Sequence, residues 1–253
     1  MADARVAIVT GSSSGIGAAT ALELSRRGWR IAVNYAQSAA QAQEIAEQCG
    51  EAIVVQGDVA DDSDCRRVVQ TALGRWGRLD ALVNNAGTTK FVAQGDLDGL
   101  SAADFQRIYA VNVIGAFQMC RAAAQALRAT RGAVVNVSSL ASRNAVGSSI
   151  AYAASKAALN MVSMSLARVL APEVRVNVVA PGFVETPWMA EGYGDEGYER
   201  VREAYARLAP LGSVAQPLEV AQTIAWLIED AAQVSGQILY VDGGMHVVPP
   251  RSA

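Results

Sequence analysis

Short runs of β-branched and small apolar residues alternate along this chain with longer stretches whose apolar positions recur every three to four residues. Val6–Thr10, Arg30–Asn34, Ala52–Gly57, Ala81–Asn84, Ala133–Ser138, Arg175–Ala180 and Gln237–Val241 read as strands buried on both faces. Between them, Gly17–Arg27, Ala39–Cys49, Ser63–Trp76, Ala102–Ala129, Ala151–Leu170 and Pro217–Ile228 read as helices. Near-continuous Val and Ile in strands that alternate with helices predicts a parallel sheet covered on both sides. Right-handed crossovers then give an α/β, three-layer, doubly wound sheet of Rossmann type, with about seven strands. No linker, repeat or low-complexity block interrupts the pattern, so residues 1–253 are expected to form one domain. One irregular stretch, Glu185–Gly197, sets Pro187, Gly192, Gly194 and Gly197 among Trp188, Met189 and Tyr193. Long loops in compact domains are often lids, and a substrate lid is expected at about 185–210.

Charge and composition narrow the classes. With 21 basic and 24 acidic residues the net charge is −3, which argues against a nucleic-acid binder. Half the residues are apolar, yet no run approaches the ~18–20 residues needed to span a bilayer. Met1-Ala2-Asp3-Ala4-Arg5 lacks the apolar stretch of an export signal. Cys49, Cys65 and Cys120 are odd in number and widely spaced, so neither a disulfide framework nor a metal motif is expected. These features together point to a cytoplasmic protein. The single histidine, His246, offers no His-based metal site, and none is expected; it reads as a terminal surface or interface residue.

Two segments carry chemistry. Thr10-Gly11-Ser12-Ser13-Ser14-Gly15-Ile16-Gly17 follows the first strand and opens the first helix. Glycines there permit a tight turn and let backbone N–H groups approach a pyrophosphate at the positive end of the helix. Tyr152 and Lys156 stand four residues apart, on one helical face, with Ser139 thirteen positions upstream. An ammonium about 4 Å from a phenol, at an effective dielectric of about 20, is worth about 4 kcal/mol, or about three pKa units. That would bring the tyrosine toward proton exchange near neutral pH, as carbonyl reduction or alcohol oxidation needs. The alternative is a Tyr and a Lys that merely share a solvent face.

With Asn84-Asn85-Ala86-Gly87 after the fourth strand, these motifs make the chain resemble the short-chain dehydrogenase/reductase family over nearly its whole length. Within the family it is similar to the ~250-residue branch that includes the 3-oxoacyl carrier-protein reductases. Enoyl reductases of the fold place their tyrosine and lysine seven apart, not four. The resemblance implies a catalytic tetrad of Asn112, Ser139, Tyr152 and Lys156. Tyr152 would protonate the carbonyl oxygen, Ser139 would hold that oxygen, Lys156 would lower the tyrosine pKa and contact the nicotinamide ribose, and Asn112 would hold a water leading to Lys156. Ser138, adjacent, is the rival to Ser139; the thirteen-residue spacing selects Ser139.

Cofactor contacts implied by the resemblance are Gly11, Ser13, Ser14, Gly15, Ile16 and Gly17 at the pyrophosphate, and Asn34, Tyr35 and Ser38 after the second strand. Asp58 and Val59 would lie at the adenine, and Asn85, Ala86 and Gly87 after the fourth strand. Pro181, Gly182, Val184 and Thr186 would lie at the nicotinamide, together with Tyr152 and Lys156. A carboxylate closing the second strand would select NAD; Val33-Asn34-Tyr35-Ala36-Gln37-Ser38 has none, so NADP(H) is favoured over NAD(H). No cation replaces it: Ser12, Ser13, Asn34 and Ser38 offer only hydrogen bonds.

The expected partner is a small-molecule carbonyl or alcohol, acyl thioesters included. Its pocket is expected to be bordered by Ala141, Asn144, Ala145, Val146, Lys90, Phe91 and the Trp188–Tyr193 lid. Arg128 and Arg131 would supply part of a basic rim for an acidic carrier protein, although Ala171-Pro172-Glu173 lacks the positive charge that carrier-protein reductases often place there. A homotetramer is expected through the two long helices. The competing reading is a catalytically silent NADP(H)-sensing or scaffold protein on the same fold.

Overall fold

The computed structural model describes residues 4–248; the leader reading on Met1–Asp3 lies outside them. Seven parallel strands run in the order β3-β2-β1-β4-β5-β6-β7. They are β1 (Val6–Val9), β2 (Arg30–Tyr35), β3 (Ala52–Gln56), β4 (Ala81–Asn84), β5 (Ala133–Val137), β6 (Arg175–Pro181) and β7 (Ile238–Val241). Side chains of successive strand residues point to opposite faces, so each apolar strand feeds two cores. Val6, Ile8, Leu82, Val134 and Val176 pack on one side with α3 (Asp62–Trp76), α5 (Ala116–Thr130) and α7 (Ile150–Leu170). Ala7, Val9, Ile31, Val83, Val135 and Val179 pack on the other with α1 (Gly15–Arg26), α2 (Ala39–Gln48) and α10 (Pro217–Glu229). This is the doubly wound, three-layer arrangement expected.

The chain leaves β1 toward β2 and β3, then returns to the other flank of β1 as β4. Such a reversal opens a crevice at the carboxyl ends of the strands, where ligands bind on this architecture. Thr10 closes its floor: its Oγ1 accepts from the backbone N–H groups of Asn85 and Ala86, both at 3.0 Å.

Two elements depart from the sequence reading. The expected helix Ala102–Ala129 is instead α4 (Ala102–Tyr109), a π-helical turn (Ala110–Gly115) and α5. Gly115 lies against Val59, whose Cβ, Cγ2 and carbonyl leave no room for a side chain, and this tight approach fixes the wide turn. The stretch expected to be irregular, Glu185–Gly197, forms α8 (Pro187–Tyr193) and the start of α9 (Asp195–Leu208). Pro187 suits a first helical position, where its missing N–H costs nothing. The glycines lowered the helical expectation, each costing about 1 kcal/mol against alanine. A four-residue helix, α6 (Ala141–Asn144), also went unforeseen. His246 stacks on Tyr240 with centroids 4.9 Å apart and turns Nδ1 to the Asp242 carboxylate at 3.0 Å. Among the described residues no helix is long and apolar enough to cross a membrane.

Candidate active site

A cavity of about 650 Å³ runs along the carboxyl edge of the sheet, from the start of α1 to the start of α7 and under α8. At one end, Gly11 and Gly15 take positive φ (60° and 55°), the left-handed region that favours glycine. A Cβ on Gly11 would come within 2.9 Å of Ala86 Cα, so the turn closes only without a side chain. Ser14 caps α1 in extended conformation with no side-chain hydrogen bond, which leaves the first helical N–H groups for an anion. Asn85 staples this turn to β4, its Nδ2 donating to the carbonyls of Thr10 (3.0 Å) and Gly11 (2.9 Å). A dinucleotide therefore fits: a cradle that a Cβ would fill, uncapped helical amides and a long crevice.

Most of the expected cofactor residues line this cavity, including Ser13, Ser14, Ile16, Ser38, Asp58, Val59, Asn85, Ala86, Gly87, Pro181, Gly182, Val184 and Thr186. Three do not act as expected. Gly17 faces away; a Cβ there would run into the Asn85 amide and the Gly11 carbonyl, so it serves turn packing. Tyr35 packs on the β-sheet core cluster and does not border the cavity. Asn34 borders it, yet its side chain is committed. Nδ2 donates to the carbonyls of Val55 (3.2 Å) and Gly57 (3.1 Å), and Oδ1 accepts from Gly11 N–H. Ser12 is likewise buried, donating to Val9 O at 2.8 Å. Gln37, Ser38 and Gln41 remain at the end of β2.

At the other end the structure brings Ser139, Tyr152 and Lys156 to one wall. Ser149 caps α7 by accepting from Tyr152 N–H at 3.2 Å, which fixes where the tyrosine leaves the backbone. The Ser139 hydroxyl beside Tyr152 favours the ionised form of the phenol, but burial outweighs this and pushes the phenol up to about 12. That reverses the acidic shift expected from spacing. Lys156 Nζ lies 5.6 Å from the Tyr152 ring centroid and donates to Val137 O at 2.9 Å, and burial alone brings it down to about 8. In this arrangement the ammonium serves a carbonyl instead of the phenol. Ser138, the rival hydroxyl, donates to Lys156 O at 3.2 Å.

Asn112 sits buried in the π turn and does not border the cavity. Its Oδ1 accepts from Thr88 N–H (2.8 Å), and its Nδ2 donates to Thr88 O and Ser155 Oγ, both at 3.0 Å. Its Oδ1 accepts one of the two hydrogen bonds an amide oxygen can take, which leaves an acceptor for the expected water. A pair absent from the sequence reading, Ser142 and Asn160, holds the serine turn. Asn160 Nδ2 donates to Ser142 Oγ (2.9 Å), and Ser142 Oγ donates to Ser139 O (2.6 Å). No sequence signal marked these two; their meeting depends on how α6 folds back on α7.

The expected substrate border changes. Trp188, Met189 and Glu191 line the cavity, whereas Lys90 pairs with Asp104 at 2.9 Å and Phe91 supports the lid from behind. Ala141 and Ala145 belong to a separate cavity of about 250 Å³ with Ile150 and Ala154; Asn144 and Val146 border neither. Arg128 and Arg131 end α5 just before β5, at the amino edge of the sheet, opposite the site. Five residues of strand separate them from it, about 17 Å. The two arginines therefore do not rim this chain's own cavity. Glu185, unassigned from sequence, accepts from Gln216 Nε2 at 2.7 Å and faces Arg202 at 3.6 Å, holding the base of the lid. Arg107, also unforeseen, borders the cavity.

Known proteins match along the whole chain. A family model described as Enoyl-(Acyl carrier protein) reductase matches residues 11–246. A protein of Streptomyces violaceoruber, assigned as ketoacyl reductase 2 of the granaticin polyketide synthase, is 40% identical over 247 residues, which cover 97% of this chain and 98% of that protein. The 3-oxoacyl-acyl-carrier-protein reductase of Synechocystis sp. is 38% identical over 250 residues, covering 96% of this chain and 97% of the other. A solved structure from Burkholderia xenovorans, assigned to the short-chain dehydrogenases/reductases, superposes with a TM-score of 0.89 at 40% identity, covering 97% of this chain and 99% of that one.

Proposed function

The chain belongs to the short-chain dehydrogenase/reductase family, oxidoreductases of CH–OH groups that use a nicotinamide cofactor, and from that premise we propose that it reduces a ketone with NADPH. The observation that carries this reading is that Tyr152, Ser139 and Lys156 line the same crevice as the uncapped start of α1. A bound nicotinamide supplies the hydride. Ser13, Ser14, Gly15 and Ile16 would hold the pyrophosphate, Asp58 and Val59 the adenine, and Val184 and Thr186 the carboxamide. Tyr152 gives its proton to the substrate oxygen, and Ser139 donates a hydrogen bond to that oxygen as charge develops on it. A phenol at about 12 is suited to staying protonated until the oxygen becomes basic. Lys156, at about 8, is mostly charged at neutral pH and can return a proton to the tyrosine once it turns from Val137 O.

NADPH is preferred because no carboxylate closes β2 to repel a 2′-phosphate, and Ser38 and Gln37 remain free to bond it. The three free thiols, two of them buried, suit a reducing, cytoplasmic setting. Exposed Ile114 in the π turn and Phe117 on α5, with Met161, Met164 and Val169 on α7, give the apolar face through which a homotetramer would form. One domain binds cofactor and substrate alike, with α8 and α9 as the lid.

The test is loss of NADPH absorbance against a panel of ketones. Tyr152→Phe should lower kcat by about 10²–10⁴-fold while NADPH still binds. Unchanged turnover in that variant would remove the mechanism, and a preference for NADH of tenfold or more would overturn the cofactor assignment.

A further inference from the structure

The walls around the Tyr152 hydroxyl describe the substrate more closely than the reaction does. Trp188, on the lid helix α8, sets its ring centroid 5.7 Å from that of Tyr152, tilted by 58°. Phe91 backs it edge-on at 6.1 Å and meets Tyr193, at the far end of α8, at 5.1 Å. Gly192 is what lets Phe91 in: a Cβ there would occupy the phenyl ring itself. Four aromatic rings thus form one continuous wall leading to the reacting hydroxyl, and Trp188 stays 39% exposed at its surface. A side chain so large, with over a third of its surface open beside a cavity, offers a flat apolar face to whatever enters.

Charge at this end points the same way. Among the described residues Glu191 is the only ionisable lid residue bordering the cavity. Beside Tyr152 and the lid, Lys90 is occupied by Asp104 and Lys156 by Val137 O, while Arg107 borders the cavity from α4. An acyl chain on a phosphopantetheine arm brings phosphate charge to the mouth; at the lid it would meet the Glu191 carboxylate.

We propose that the site is built for a neutral ketone carried on a flat ring system, which stacks on Trp188, and not for an extended acyl thioester. The proposal rests on the ketone-reductase reading above. The reacting carbonyl would reach Tyr152 while the ring lies against the indole, so binding strength tracks ring area and not chain length.

The experiment compares kcat/KM for 2-tetralone, cyclohexanone, acetoacetyl-N-acetylcysteamine and acetoacetyl-coenzyme A, with saturating NADPH and the intact protein. Expected is at least a tenfold preference for 2-tetralone over either thioester, with cyclohexanone between. Trp188→Ala should cost 2-tetralone about tenfold, in KM and not in kcat, and Trp188→Phe should restore most of it; NADPH affinity should not move. Thioesters equal to or better than 2-tetralone would overturn the proposal and leave ketone reduction standing, a result wild-type protein alone can give. So would a Trp188→Ala loss of equal size for all four substrates, which marks a structural role. No turnover of any of them would overturn the reductase reading itself.

Discussion

Replacing Lys156 by methionine should stabilise the cofactor-free protein at neutral pH and lose that advantage in alkali. Lys156 is buried, and burial lowers it from the ordinary 10.5 to about 8. The unfolded chain keeps the proton up to 10.5, whereas the folded chain releases it near 8. Between those values the unfolded state binds more protons, so wild-type stability rises with pH across that window. Charge burial then costs the wild type about 3 kcal/mol at pH 7, and only about 1 kcal/mol remains at pH 10. Methionine has nothing to titrate. Its loss of the bond to Val137 O leaves a carbonyl unpaired and offsets about 1–3 kcal/mol of the gain. That offset is present at both pH values and largely cancels between them. The stability of Lys156→Met relative to wild type should therefore fall by about 2 kcal/mol from pH 7 to pH 10. Urea unfolding of both proteins at the two pH values measures it. A difference that does not change with pH, or that grows toward pH 10, would refute the argument that the buried charge is a cost.

Two further outcomes follow from the cofactor end. Gly17→Val forces a branched side chain into the Asn85 amide and the Gly11 carbonyl, so the turn must open; NADPH affinity should fall at least tenfold in a fluorescence titration, and the thermal midpoint should drop. Ala36→Arg places a guanidinium just after β2, where the cavity lining is neutral. The KM for NADPH should fall about tenfold and that for NADH should not change, since only a 2′-phosphate gains the charge-assisted bond.

The strand order and layering were readable because buried parallel strands need unbroken apolar runs, and Val6–Val9 or Val134–Val137 hold little else. The glycine turn was readable because its backbone conformation admits few residues at Gly11 and Gly15. What failed depends on neighbours distant in sequence. Asn34 looked free at a strand end; only β3, lying beside it, supplies the Val55 and Gly57 carbonyls that occupy its amide. The Tyr152–Lys156 spacing placed both on one face, but not the exclusion of water that pushes the phenol up, nor the Val137 carbonyl that turns the ammonium. The π turn keeps the apolar pattern of a plain helix, so periodicity could not reveal it. Arg128 and Arg131 were misplaced for a different reason, since residues just before a strand must lie at its amino edge, which the strand assignments already implied.

That wide turn makes chain length a constraint in its own right. A π turn holds one residue more than the α-helix allows, and each residue advances an α-helix by about 100°. Deleting any residue within 110–115 would let the segment wind regularly, gaining local helical bonds. The flanking turns would stay nearly in phase, but the bulge that carries Asn112 onto Thr88 and Ser155, and Gly115 onto Val59, would be lost. Substitutions at the exposed positions of this segment should be far better tolerated than the loss of a single peptide unit.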